Sequence, residues 1–128
     1  MPAVALGAPP LRMGFLGRAA IIAGALIEPA KLLGHKQVII AGSASRSVKD
    51  ATDFQRQNGL NSTVFESYEA LILSPEIDCI YIALSTSIHF EWTKLALAAG
   101  KHVLLEKPLT SNAEQAASLI KLAQERNL

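Results

Sequence analysis

Residues 12–22 run Arg-Met-Gly-Phe-Leu-Gly-Arg-Ala-Ala-Ile-Ile, which joins a short apolar run to a glycine and then to a helical stretch. A glycine at the turn from strand to helix allows backbone N–H groups to approach a phosphate at the helix N-terminus. Gly17 supplies that residue, whereas Ala19 and Ile22 stand where a dinucleotide-binding turn has its second and third glycines. The stretch indicates a phosphate-binding turn, and an ordinary strand-to-helix connection is the alternative.

Apolar runs and helical stretches alternate through the rest of the chain. Runs typical of strands lie at residues 12–16, 37–42, 63–65, 78–84 and 102–105. Stretches typical of helices lie at residues 19–33, 47–58, 67–73, 88–99 and 111–128. The first helix is expected to be interrupted at Glu28-Pro29, because proline cannot donate to the helical ladder. Strands that alternate with helices form parallel sheets through right-handed crossovers. We therefore predict an α/β fold, a doubly wound parallel sheet of Rossmann type with strand order 3-2-1-4-5.

The apolar pattern also predicts which side chains pack. Tyr81 and Cys79 lie in an almost continuous apolar run, so both are expected to be packing residues. The last helix has apolar residues at helical spacing, which predicts a buried stripe. The residues of this stripe are Ala113, Ala116, Ala117, Ile120 and Ala123.

Composition narrows the class of protein. The 128 residues suit one domain, and with half of them hydrophobic and 18% charged they can form a packed core. We expect residues 1–10 to be a loose arm and residues 11–128 to form the domain. The net charge of +1 and the scattered basic residues give no indication of nucleic-acid binding. The chain has one cysteine and no apolar run of membrane-spanning length, so we expect a cytoplasmic protein that binds no membrane. No His, Cys or carboxylate residues stand at metal-ligand spacing, so we expect no metal site.

Two residues after the second predicted strand bear on the choice of nucleotide. Ser45 and Arg46 stand where a dinucleotide-binding fold has an acid for the ribose 2′-hydroxyl, or an arginine for a 2′-phosphate. The acid is missing, while Arg46 can pair with phosphate and stack on adenine, and Ser45 can donate a hydrogen bond. The sequence therefore favours NADP over NAD. The alternative for Arg46 is a solvated arginine in a loop.

Three segments together carry a family resemblance. They are residues 14–21 (Gly-Phe-Leu-Gly-Arg-Ala-Ala-Ile), residues 81–89 (Tyr-Ile-Ala-Leu-Ser-Thr-Ser-Ile-His) and residues 100–109 (Gly-Lys-His-Val-Leu-Leu-Glu-Lys-Pro-Leu). The chain from Arg12 onward resembles the N-terminal domain of the Gfo/Idh/MocA oxidoreductases, and its Glu-Lys-Pro tripeptide is the most specific match. Within that family it looks closest to dimeric dihydrodiol dehydrogenases and NADP-dependent D-xylose dehydrogenases.

The resemblance implies a role for each matching residue of the adenosine half of a dinucleotide site. Ser45 and Arg46 would face the adenosine ribose and its phosphate. The pyrophosphate would be held by Gly17, Arg18, Ala19, Ala20 and Ile21.

The same resemblance implies the nicotinamide half. Residues after the fourth and fifth strands would line it, namely Leu84, Ser85, Thr86, Glu106 and Lys107. His89 would lie near the ribose, with an ordinary helix-start residue as the alternative. Lys107 would be the catalytic residue, acting on the substrate hydroxyl, and the Lys107-Pro108 bond is expected to be cis. Without the neighbouring motifs, Glu106 and Lys107 would suggest a surface ion pair.

The resemblance implies an NAD(P)-dependent oxidoreductase that transfers a hydride between NADP and a sugar or diol hydroxyl. Members of the family are much longer, and their second α/β domain supplies the substrate pocket and usually a dimer interface. We expect this chain to lack that domain. A cofactor-binding or regulatory module without turnover, or a non-functional truncated product, are the alternatives. The face left without its second domain is expected to cause self-association.

Overall fold

In the computed structural model, residues 7–34 and 36–128 are described. Residues 1–6, most of the expected N-terminal arm, lie outside that range. The strands are β1 (Leu11–Leu16), β2 (Val38–Ala44), β3 (Thr63–Val64), β4 (Cys79–Ile82) and β5 (His102–Leu105). The helices are α1 (Glu28–Leu32), α2 (Val48–Gln57), α3 (Tyr68–Leu73), α4 (His89–Ala98) and α5 (Ala113–Glu125). A π-helical segment (Ala23–Ile27) leads into α1, and a 3-10 turn (Thr86–Ile88) leads into α4.

The five strands form one parallel sheet in the order β3-β2-β1-β4-β5, which confirms the predicted fold class and strand order. All four residues of β4 are buried, as expected for a central strand covered on both faces. The edge strand β3 has only two residues.

Two apolar layers cover the two faces of the sheet, because successive side chains of a strand point to opposite sides. One layer contains Phe15 of β1 and Tyr81 of β4, with Phe54 of α2 packed edge-to-face on Phe15 at 5.7 Å between ring centroids. The other layer contains Ile80 of β4 and Leu71 of α3. This arrangement leaves the carboxyl ends of the central strands as the open edge of the domain.

The first helix differs from its prediction. Residues 21–32 are helical without a break, and the irregularity is the π-helical segment Ala23–Ile27 just before Pro29. Pro29 is the second residue of α1, inside this continuous helical stretch, and cannot donate a backbone hydrogen bond to the turn before it. The wider π-helical turn allows the chain to continue past the proline, and the predicted interruption is wrong.

The predicted stripe of α5 is also wrong. Leu119 is the buried residue of this helix, whereas Ala113 and Ala117 are exposed and Ile120 is 52% exposed. The helix packs mainly against α4, so only a narrow face of it is covered. Because α5 carries apolar residues on several sides, its periodicity alone does not determine which side faces the core.

A polar cluster fastens β1 to the start of β4 at the amino-terminal edge of the sheet. The Nε and Nη2 atoms of Arg12 donate to the Asp78 carboxylate, at 3.0 Å and 2.8 Å respectively. The backbone N–H of Arg12 donates to the same carboxylate at 2.9 Å. Lys101 donates nearby to the carbonyls of Ser74 and Ile77, each at 2.7 Å. Hydrogen bonds from Arg12 hold the pKa of Asp78 below its ordinary value.

We expect Asp78→Asn to lower the thermal midpoint by a few degrees at neutral pH and to weaken the loss of stability on acidification. A depressed carboxyl pKa stabilises the folded chain at pH values above the ordinary range of aspartate, and this stabilisation disappears as the pH falls through the folded pKa. The effect is modest because the Arg12 and Asp78 side chains are 42% and 35% exposed. Thermal melts followed by circular dichroism from neutral to acidic pH measure it.

Asp53→Asn is the matched control. It removes the same charge from a surface pair with Lys49 within α2, where an i,i+4 contact contributes only about 0.3–0.5 kcal/mol. Equal midpoint shifts for the two variants would contradict a special role for the contact between β1 and β4.

Candidate nucleotide-binding site

The predicted site residues gather at the carboxyl edge of the sheet. The last residue of β1, Leu16, pairs with Ala44 of β2 and with Ile82 of β4. Ile82 in turn pairs with Leu105 of β5. The residues that follow these strands therefore lie along one edge of the sheet, in the order β2, β1, β4 and β5, at the edge where open α/β sheets bind ligands.

Gly17 closes β1 with a tight turn that no other residue suits. Its φ of +93° lies in the left-handed region, and a Cβ atom there would lie 2.9 Å from Leu84 Cδ2 and 3.3 Å from the carbonyl oxygen of Ala83. The Gly17 N–H donates to Ala44 at 2.8 Å. The next four N–H groups, of residues 18–21, donate to no backbone group in the described part of the chain. They are free to bind an anion at the start of the helix.

The side chains of this turn are mostly exposed. Arg18 lies against the first turn of α2, with its Nη1 atom 3.3 Å from the Asp50 carboxylate. Ala20 and Ile21 are exposed, and Ala19 packs against the core. The turn therefore presents backbone groups outward and connects to α2 through Arg18.

Ser45 and Arg46 follow β2 immediately before α2. Ser45 is 5% exposed and Arg46 is exposed. Within residues 7–34 and 36–128, no carboxylate lies within 4.0 Å of the Arg46 guanidinium. Ser47 caps α2 by accepting the N–H of Asp50 at 3.1 Å. Among the described residues, Arg46 thus has no ion-pair partner, and it lies beside the N-terminus of α2.

The chain leaves β4 through Leu84, Ser85 and Thr86. Ser85 is exposed, and Leu84 and Thr86 are half-buried, with Thr86 starting the 3-10 turn. Leu84 packs over Gly17, so this segment borders the turn after β1 directly.

Glu106 follows β5 and is bound by a residue of β4. The Tyr81 hydroxyl donates to its Oε2 atom at 2.5 Å, and the Lys107 N–H donates to its Oε1 atom at 3.2 Å. The Tyr81 hydrogen bond lowers the pKa of Glu106. Burial, together with the Glu106 carboxylate, raises the pKa of Tyr81 to about 12.

Lys107 is exposed directly beyond Glu106. The Lys107-Pro108 bond is cis, which confirms that expectation. In the described part of the chain, no carboxylate lies within 4.0 Å of the Lys107 ammonium. It is therefore available to a ligand at the sheet edge.

His89 begins α4 and is 1% exposed. Its Nε2 atom lies 2.8 Å from the carbonyl oxygen of Leu84, and its Nδ1 atom lies 2.9 Å from that of Pro108. Both nitrogens are thus directed at backbone groups. Contact with a ribose stays a prediction.

Tyr81 is the residue that sequence reasoning missed at this site. It was expected only to pack, and its ring does lie in the core, but its hydroxyl binds Glu106. The two residues are 25 positions apart, so their contact depends on the register between β4 and β5. The alternation along β5 could have indicated it, since Glu106 falls on the same face as Leu104, the partner of Tyr81.

Within residues 7–34 and 36–128, no group of three His, Cys, Asp or Glu side chains could hold a metal ion. Nor does any described helix have the length and apolar character needed to cross a bilayer.

Comparison with known proteins identifies the family to which the chain belongs. Residues 11–128 match the family GFO_IDH_MocA, described as an oxidoreductase family with an NAD-binding Rossmann fold. The chain is 39% identical over 120 residues to a dTDP-3,4-didehydro-2,6-dideoxy-alpha-D-glucose 3-reductase of Streptomyces antibioticus, covering 94% of this chain and 35% of the relative. It is 41% identical over 92 residues to a D-xylose 1-dehydrogenase (NADP(+)) of Hypocrea jecorina, covering 70% and 24% respectively.

Solved structures show the same partial overlap. A 3-ketoreductase from Actinomadura kijaniata, crystallised with NADP and TDP-benzene, superposes with a TM-score of 0.81 at 39% identity. The match covers 93% of this chain and 35% of that one. The chain therefore spans about a third of the length of the relatives it matches.

Proposed function

Because the chain belongs to the Gfo/Idh/MocA oxidoreductase family, we propose that it is the nucleotide-binding half of an NADP-dependent oxidoreductase. The proposed reaction is hydride transfer between NADP and a sugar or diol hydroxyl. The observation that supports the proposal is that Gly17, Arg46 and Lys107 follow β1, β2 and β5 at the same edge of the sheet.

The phosphate end of the proposed site uses backbone more than side chains. The free N–H groups of residues 18–21 suit a pyrophosphate, and the absence of a side chain at Gly17 keeps the turn close to Leu84. Ala19, Ala20 and Ile21 would contribute through their backbone. Arg18 is exposed and would attract the pyrophosphate through its positive charge. The Asp50 carboxylate, 3.3 Å from its Nη1 atom, partly offsets that attraction.

The adenosine end favours NADP over NAD. Arg46 has no carboxylate partner among the described residues, and it adjoins the N-terminus of α2. Both features suit a 2′-phosphate. Ser45 would donate its hydroxyl to the same ribose. A carboxylate, which would select the 2′-hydroxyl of NAD, is missing at both positions.

The nicotinamide end would lie between Leu84, Ser85 and Thr86 on one side and Glu106 and Lys107 on the other. When bound, the nicotinamide ring supplies the site at which a hydride is accepted or donated. Lys107 would bind the substrate hydroxyl and take up its proton as the carbinol carbon loses hydride. It would do so as the neutral amine, and its exposed side chain leaves the nitrogen accessible to a substrate.

The proposed substrate class is a sugar or a diol, of the D-xylose 1-dehydrogenase or trans-dihydrodiol dehydrogenase type. Relatives that act on free sugars and relatives that act on nucleotide-linked sugars match this chain at similar identity. All of these names describe oxidation or reduction at a sugar carbon, which supports the broader class.

The test of the reaction is Lys107→Ala with the family's second α/β domain supplied, because that domain would carry the substrate pocket. We expect the variant still to bind NADPH, with its affinity reduced by about tenfold at most, and to lose reduction of NADP with D-xylose or a trans-dihydrodiol, since the proton acceptor is removed. Nicotinamide fluorescence and absorbance measure the two quantities. Lys121→Ala removes an exposed lysine of α5 and is the control.

Two outcomes would contradict parts of this proposal. Turnover retained by Lys107→Ala within a few-fold would contradict the assigned role of the lysine. NADPH binding without any turnover, even with the second domain supplied, would instead favour a cofactor-binding or regulatory module.

We also propose that the chain self-associates. Leu109 and Ile120 are 42% and 52% exposed and line one apolar groove between β5, α4 and α5. Exposed apolar surface of this kind favours association. We expect sedimentation velocity to show species larger than a monomer as concentration rises, and a monomer at every concentration would refute the proposal.

A further inference from the structure

The segment that carries Lys107 is held on both sides by residues of β4 and α4. Tyr81 binds Glu106 before the lysine, and His89 binds the carbonyls of Pro108 and Leu109 after it. We propose that Tyr81 and His89 are positioning residues that fix the 106–109 loop and so hold Lys107 at the nicotinamide end of the site. The proposal rests on the nucleotide-binding role proposed above.

Tyr81 anchors the loop at its start. The side chain is 2% exposed, so its hydroxyl needs a partner inside the protein. That partner is the Glu106 carboxylate, whose other oxygen accepts the Lys107 N–H. With a pKa raised to about 12, the hydroxyl keeps its proton and remains a donor at neutral pH. The carboxylate thus connects the core strand β4 to the backbone of Lys107.

His89 anchors the loop at its end. Nδ1 lies 2.9 Å from the Pro108 oxygen and 3.3 Å from the Leu109 oxygen, while Nε2 lies 2.8 Å from the Leu84 oxygen. A carbonyl oxygen only accepts hydrogen bonds. The contact that matters for the loop is therefore the one in which Nδ1 carries a proton and donates it to the Pro108 oxygen. That hydrogen bond joins the first residue of α4 to the loop after β5.

With the loop held on both sides, the Lys107 side chain projects from a fixed backbone and is itself exposed. A reactive group held by its surroundings binds with less loss of conformational freedom than one on a mobile loop. The clamp formed by Tyr81 and His89 is therefore expected to affect ligands that reach the nicotinamide end. Ligands confined to the adenosine end do not contact this loop in the proposed site.

Two ligands separate positioning from general damage. NADPH extends to the nicotinamide end, whereas adenosine 2′,5′-bisphosphate occupies only the adenosine end. We expect Tyr81→Phe and His89→Gln each to weaken NADPH binding about threefold to tenfold, the equivalent of one hydrogen bond. Binding of the bisphosphate should be unchanged. Thr93→Val, which removes a buried hydroxyl without a partner in the described residues, should change neither.

Parallel weakening of both ligands, or unchanged NADPH binding, would overturn the clamp. A second measurement does not depend on nucleotide binding or on the variants. Nitrogen-15 NMR of the His89 ring should show the proton that Nδ1 donates to the Pro108 oxygen, and a ring without a proton on Nδ1 would also overturn the proposal. If the unchanged chain bound neither nucleotide, the proposed function would fail, while the NMR result would still decide whether His89 donates to the loop.

Discussion

Replacing Gly17 with alanine is expected to reduce NADPH binding at least about tenfold, because one or two hydrogen bonds to a charged phosphate would be lost. Alanine would place its Cβ 2.9 Å from Leu84 Cδ2 and 3.3 Å from the Ala83 carbonyl, at a φ of +93°. Either the turn moves away from β4 or the strain remains, at a cost of about 1–3 kcal/mol in stability. In both cases the N–H groups of residues 18–21 lose their arrangement.

Gly24→Ala provides the matched control for this substitution. Gly24 lies in the π-helical segment of the same connection, and a Cβ there has nothing within 4 Å. Alanine in a helix is favoured over glycine by roughly 0.5–1 kcal/mol, so this variant should be as stable as the unchanged chain or slightly more so. Fluorescence titration with NADPH and thermal melts compare the two. Undiminished binding in Gly17→Ala would contradict the assignment of the turn to the pyrophosphate.

Replacing Arg46 with alanine is expected to weaken NADPH binding about tenfold to a hundredfold and to change NADH binding little. The estimate corresponds to one charge-assisted hydrogen bond of about 1.5–3 kcal/mol. Arg46 is exposed and has no carboxylate partner in the described ranges, so its removal breaks no ion pair of the fold. The selectivity between the two nucleotides should therefore change while the thermal midpoint stays constant.

Arg56→Ala is the control for the loss of charge. Arg56 lies on α2 and pairs with Asp53 at 3.7 Å on the solvent side. It should leave the ratio of NADPH to NADH affinity unchanged. If Arg46→Ala weakened both nucleotides equally, Arg46 would contribute general attraction or adenine stacking, and the 2′-phosphate assignment would be wrong.

The fold was predictable because the central strands are short, almost wholly apolar runs. The apolar run at residues 78–84 and the strand-glycine-helix pattern around Gly17 depend on local sequence, and alternating strands and helices constrain the connections. The π-helical segment that leads into α1 was less predictable. This segment before Pro29 contains the buried residues Leu26 and Ile27, and nothing in the local sequence pattern distinguishes it from an ordinary helical turn.

Contacts within the site were harder to predict than its location. Gly17, Arg46 and Lys107 follow three strands, so a parallel sheet alone brings them to one edge. The bond from Tyr81 to Glu106 requires the register of two strands, and the contacts of His89 require the path of the loop after β5. Neither register nor loop path is determined by residue types close in sequence. The covered face of α5 was not predicted, because apolar residues lie on several sides of that helix.

The most direct test of the account is calorimetric titration of the unchanged chain with NADPH and, separately, with NADH. The account predicts saturable binding of one NADPH per chain, with a lower Kd than for NADH. Failure of both nucleotides to bind, or a lower Kd for NADH, would contradict it.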